Sequence, residues 1–121
     1  MRPKFIIVDT SADAFGGDEI SRKHLRAFIK LLRSQAIKFD CAVLLLSHPS
    51  LAGISSGSGL SGSTGWNGSV RSRLYMTHGD DEDDSDARKI TTMKANYGRP
   101  GTGIALRWHE GVFRQLHQQE S

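Results

Sequence analysis

Cysteine is almost absent. The single Cys41 in 121 residues excludes an internal disulfide and any cysteine-rich zinc site, and its place at the head of an apolar run reads as a small buried hydrophobe. Long apolar stretches are missing as well. The longest candidate, residues 41–46, falls far short of the roughly 18 to 20 residues a membrane-spanning helix needs, so no membrane partner and a soluble protein are expected. The first residues, Met1-Arg2-Pro3-Lys4, run directly into a strand-like segment with no small-residue cleavage site, and a cytoplasmic location is the expectation. At this length, with 37% hydrophobic residues, the chain can fill one modest core rather than two full domains.

Charge is unevenly spread. The formal net charge is +3, but six of the thirteen acids stand in residues 80–86; outside that segment 16 basic residues face 7 acidic ones, a net of +9. Such a balance suits a surface that meets phosphates, although an ordinary Lys/Arg-coated helix face would give the same count.

Lys4-Phe5-Ile6-Ile7-Val8-Asp9-Thr10 is a continuous β-branched and aromatic run, too short for a helix, as expected of a strand buried on both faces of a parallel sheet. After a turn at Gly16-Gly17, Ser21 is placed to cap a helix. Its apolar residues Leu25, Phe28, Ile29, Leu32, Ala36 and Phe39 recur at helical spacing, and Arg22, Lys23, Arg26, Lys30 and Arg33 fill much of the remainder. A second buried-strand run, residues 41–47, follows and ends before His48, so strand, helix and strand form a crossover with parallel strands. In residues 53–69, 12 of 17 are Gly or Ser, which reads as a flexible loop. Residues 72–77, 89–94, 103–109 and 111–116 read as further strands, with an acidic turn at 79–87 and a tight turn at Glu110-Gly111. The expected architecture is α/β: one sheet that begins parallel and finishes in antiparallel hairpins.

In open parallel sheets ligands bind beyond the carboxyl ends of the strands, which is where Asp9 and His48 stand. Apolar residues followed by Asp is how a nucleotide triphosphatase holds a carboxylate near Mg²⁺, although Asp also ends many strands as a turn former. The His48 imidazole could meet a phosphate or a water beside Asp9 if the two strands are neighbours. The Gly/Ser loop offers backbone amides to a phosphodiester, and Trp66 offers a ring for base stacking; a plain linker is the alternative. Three motif matches fail on context. Gly57-Ser58-Gly59-Leu60-Ser61-Gly62 fits G-x-G-x-x-G without a strand immediately before it. Gly53-Ile54-Ser55-Ser56-Gly57 fits G-x-S-x-G away from a strand-to-helix turn, and His109-Glu110 lacks the second histidine of a zincin. No protein-only metal site is expected.

Taken in order, Phe5 to Asp9, the basic helix, Ala42 to His48, the Gly/Ser loop, Ser69-Val70-Arg71 and Lys94-Ala95-Asn96-Tyr97-Gly98 resemble the later half of a RecA-like ATPase core. The nearest resemblance is to RepA-type replicative helicases of plasmids and phages, also described as AAA-family ATPases, over about residues 4–116. The resemblance implies a partial P-loop NTPase fold in which Asp9 is the Walker B carboxylate that holds the Mg²⁺ of MgATP, with Thr10 beside it. It makes His48 the sensor of the γ-phosphate. Residues 53–65, among them Gly57, Ser58, Gly59, Ser61 and Gly62, become the single-stranded DNA loop of a hexameric ring. Arg71 becomes the finger reaching a neighbouring copy, with Arg73 as competitor and Lys94 and Arg99 at the same interface.

One part of that family pattern is missing. No G-x-x-x-x-G-K-[ST] occurs in the sequence, and none of the four glutamates follows a matching strand to activate water. The chain is therefore expected to be the C-terminal portion of an ATP-hydrolysing motor acting on DNA in plasmid or phage replication, weakly stable and close to inactive alone. The competing expectation is a non-catalytic DNA- or subunit-binding module.

Overall fold

The computed structural model describes residues 2–15, 21–60 and 65–117. The chain divides into two compact units, Met1–Val70 and Arg71–Ser121.

The first unit opens with strand β1 (Phe5–Val8), a one-turn helix α1 (Ser11–Ala14), the long helix α2 (Arg22–Phe39) and strand β2 (Ala42–Leu45). Ser21 caps α2 as its sequence position suggests, its hydroxyl accepting from the His24 amide at 3.4 Å. At the other end Asp40 adopts a left-handed conformation, and the amides of Asp40 and Cys41 turn back onto the last carbonyls of the helix. The crossover brings β2 beside β1 in parallel, with Phe5 opposite Ala42, Ile6 opposite Val43, Ile7 opposite Leu44 and Val8 opposite Leu45. Two short helices follow, α3 (Leu51–Ser55), which runs into the Gly/Ser segment, and α4 (Gly65–Ser69) at its far end.

The helix periodicity sets the core. Leu25 and Ile29 are buried on one stripe of α2, with Phe28 and Leu32 beside them, and this stripe meets Trp66 of α4, Phe15, Leu45 and Val70. Trp66 is only 7% exposed and makes edge-on contacts with Phe15 and Phe28 at centroid distances of 5.5 and 6.2 Å. Its indole is therefore not offered to a nucleobase. A large ring in a run rich in Gly and Ser has much apolar surface to hide against α2, and burial wins over solvent.

Burial of β1 and β2 on both faces is not what forms. Ile6, Val8, Val43 and Leu45 are partly buried, while Phe5 and Ile7 remain 53% and 57% exposed with Leu44 and Leu46 on the same side. Among the described residues α2 and α4 cover one face only, and β1 hydrogen-bonds to β2 alone.

The second unit is a four-stranded antiparallel meander of β3 (Ser72–His78), β4 (Ala87–Ala95), β5 (Gly103–His109) and β6 (Val112–Gln115). The turn between β5 and β6 is tight, with positive φ at both Glu110 (47°) and Gly111 (93°). A bulge in the β3–β4 ladder falls between Arg73 and Leu74. The six strands lie where the sequence places them, but they form two sheets rather than one. No hydrogen-bonded register joins β1 or β2 to β3 through β6 among the described residues.

Candidate functional site

The carboxyl end of the parallel pair is stitched together by backbone and hydroxyl bonds. The Leu46 amide donates to Val8 O at 2.9 Å, and the Ser11 amide donates to Leu46 O at 2.7 Å. The Ser11 hydroxyl, 3% exposed as a residue, donates to Ser47 Oγ at 3.0 Å. Asp9 and Thr10 therefore leave β1 on a backbone clamped to the segment that follows β2, and Ser47-His48 leaves β2 from the same end. Asp9 and His48 are both exposed. Thr10 is half-buried and turns its hydroxyl onto Asp13 Oδ2 at 3.0 Å, as the chain enters α1.

Ser11 and Ser47 are the part of this site that sequence reasoning passed over. Each lies only two or three residues beyond its strand, but their pairing follows from the register, which places Val8 level with Leu45. Two polar residues at similar offsets past two parallel strands is the available signal.

Behind His48 the chain is closed into a small loop. Ser50 caps α3, accepting from the Gly53 amide at 3.0 Å, while its hydroxyl and amide both donate to Leu60 O. The Gly59 amide returns to Gly53 O at 3.0 Å. A Cβ at Gly53 would lie 2.1 Å from Leu60 O, so only glycine fits this crossing. Gly57 and Gly59 both hold positive φ, at 71° and 66°, and the Ser58 hydroxyl lies 2.9 Å from Ser56 Oγ. Of the proposed loop contacts, Gly57, Ser58 and Gly59 are thus placed, and Ser61 and Gly62 lie outside the described residues. So does the turn at Gly16-Gly17.

In the second unit the β3–β4 pairing assembles another group of predicted residues. The Asn96 amide donates to Arg71 O at 3.1 Å, Arg71 Nη1 reaches Tyr97 Oη at 3.5 Å, and the Ser72 hydroxyl donates to Lys94 O at 3.3 Å. Arg73 is level with Lys94 across the ladder. The Lys-Ala-Asn-Tyr-Gly run is consequently held against Arg71, whose guanidinium is exposed, whereas Arg73 is half-buried and its guanidinium pKa is lowered by desolvation, partly offset by Tyr75. Arg99 is exposed in the turn after this run.

The chemistry open to the Asp9 end is set by oxygen donors. Mg²⁺ is commonly held by one or two carboxylates plus water and phosphate oxygens, and the exposed Asp9 carboxylate suits that shared mode, while the Thr10 and Ser11 hydroxyls are turned onto Asp13 and Ser47. No cluster of three or more His, Cys, Asp or Glu side chains occurs among the described residues. None of the helices described there is long and apolar enough to cross a membrane. No curated protein matches the chain. Residues 1–53, which take in Asp9, Thr10 and His48, match the model of a family described as an AAA domain, and that match supports an AAA-like ATPase domain and nucleotide binding in general terms.

Proposed function

We propose that the chain is the Walker B, sensor and finger portion of a RecA-like, RepA-type ATPase core that works on single-stranded DNA as a ring of copies in plasmid or phage replication. One observation carries the reading: Asp9 and His48 emerge from the same end of adjacent parallel strands, on backbone fixed by the Ser11–Leu46 and Leu46–Val8 bonds. Asp9, with Thr10 beside it, would hold the Mg²⁺ of ATP through its water shell, and His48 would contact the terminal phosphate. The metal, when bound, supplies charge neutralisation at the phosphates. Arg71, exposed and with its guanidinium reaching Tyr97, would serve the site of a neighbouring copy with Lys94. Gly57, Ser58 and Gly59, with Ser61 and Gly62, would carry the DNA contact of the loop.

The sequence has no glycine-rich loop to wrap the phosphates. The purified 121-residue chain is therefore expected to show no ATP turnover above background. Supplied in the same polypeptide with an in-frame upstream segment bearing a strand and G-x-x-x-x-G-K-[ST], it is expected to turn over ATP. Asp9→Ala should then reduce the rate by at least about a hundredfold, the scale of losing a principal electrostatic group. Turnover by the isolated chain that disappears in Asp9→Ala would sink the claim of inactivity. DNA binding that ignores ATP and survives Asp9→Ala, with no turnover in any longer form, would favour the non-catalytic binding module instead.

A further inference from the structure

The four-stranded sheet has two unlike faces. Side chains of paired residues share a face and alternate along each strand, so the register puts Leu74, Met76, Ile90, Ile104, Trp108 and Phe113 on one side. The Trp108–Phe113 ring contact and the Arg88–Phe113 cation–π contact agree with that assignment. Lys89, Arg107 and Arg114 fall on the other side, together with the Arg73–Lys94 pair and the ring of Tyr75. None of the four strands contains an Asp or Glu.

A solvated sheet face normally mixes charges, because like charges directly opposite one another are destabilising. Here they are opposite twice: Arg73 faces Lys94, and Arg107 faces Arg114. Carboxylates reach this face from the β3–β4 turn. Asp84 pairs with Arg107, and Asp80 Oδ2 lies 3.6 Å from Lys89 Nζ. Local rules broken on one face, and relieved by an acidic turn bent over its edge, are what a polyanion-binding surface looks like before its ligand arrives.

We infer that the Lys89, Arg107 and Arg114 face binds the phosphate backbone of a single-stranded nucleic acid, and that Asp80 and Asp84 occupy it as an internal competitor. Basic residues on neighbouring strands of a sheet follow a flexible backbone, and Tyr75 adds a ring at the same level as Thr91, the combination that non-specific single-strand binders use. The surface belongs to the second unit, whereas Asp9 and the loop around Gly57 belong to the first, so it does not depend on the ATPase reading.

Binding of the full chain to a labelled oligothymidylate, followed by fluorescence anisotropy across a salt series without nucleotide, tests the inference. Replacing Lys89, Arg107 and Arg114 together by Ala should weaken binding roughly tenfold or more. It should also flatten the slope of log K against log salt by about 2, since each phosphate left unneutralised on a single strand takes away roughly 0.7. The charge-preserving set Lys89→Arg, Arg107→Lys and Arg114→Lys should bind as the unaltered chain does. Asp80→Asn with Asp84→Asn should tighten binding roughly three- to tenfold, the scale of releasing two exposed ion pairs. Unchanged affinity in the triple Ala variant, or weaker binding in the Asn variant, overturns the inference. Displacement of the oligonucleotide by polyglutamate at equal charge would reassign the face to an acidic protein. Loss of binding on Gly57→Val with Gly59→Val, while the triple Ala variant binds normally, would confine DNA to the loop and leave the ATPase reading standing.

Discussion

Trp66 shows where single residues were and were not legible. Asp9 and His48 can be picked out because each follows an apolar run closely, and the structure puts both at the same end of the parallel pair. Trp66 stands among glycines and serines, where nothing local says which way it faces; the rings of Phe15 and Phe28 decide it, from 51 and 38 residues away in the chain. Among the described residues its Nε1 is buried without a hydrogen-bond partner, a cost of about 1 to 3 kcal/mol for an unsatisfied group. Trp66→Phe gives up some ring contact but removes that donor, so its stability in urea unfolding is expected within about 1 kcal/mol of the unaltered chain. Trp66→Ala leaves a cavity against Leu25 and Ile29 and is expected to cost about 3 to 5 kcal/mol. Equal losses from the two substitutions would show that the ring cluster is not what holds this unit.

Regular elements were legible wherever periodicity has a physical cause. The stripe Leu25, Phe28, Ile29 and Leu32 predicts α2, and the six strand-like runs between turn residues coincide with the six strands, because burial imposes spacing on sequence. The short helices α3 and α4 were not legible, since Gly and Ser give no helical preference; α3 is held by the Ser50 cap and the bonds that tie Ser50 and Gly53 to Leu60 and Gly59. Sheet membership was equally hidden, as a strand's composition does not name its neighbour. The β3–β4 turn yields a prediction at this scale. Desolvation pushes the Asp84 carboxyl up, but the Arg107 hydrogen bond and charge, with the amides of Asp86 and Ala87, pull it below the ordinary carboxylate range. A carboxyl depressed on folding stabilises above its unfolded value, about 3.9, and the contribution fades as pH falls through the lower folded value. Asp84→Asn is therefore expected to lower the thermal midpoint of the sheet near neutral pH, and circular dichroism should show the difference closing below about pH 4. A gap that persists in strong acid would mean the loss was steric rather than electrostatic.

At the scale of the whole molecule, hydrophobic burial is thin. Leu25, Ile29 and Trp66 are the only hydrophobic side chains buried among the described residues, while Phe5, Ile7, Leu44 and Leu46 crowd one exposed side of the parallel pair. Contiguous apolar surface beside an open strand edge promotes association. The chain is expected to sediment as concentration-dependent oligomers, and Ile7→Thr with Leu44→Thr should shift it toward monomer, both Thr side chains being compatible with a strand. A chain that stays monomeric at every concentration would show that this side is adequately solvated as it stands. The two tryptophans have a consequence of another kind. One belongs to each unit, Trp66 shut inside its ring cluster and Trp108 standing 45% exposed on the sheet. Their emission should differ in colour and in accessibility to a dissolved quencher, and a Trp→Phe change at either position leaves light from one unit alone. The protein thus carries its own pair of optical labels, one reporting on the unit that holds Asp9 and the other on the sheet, with no dye attached.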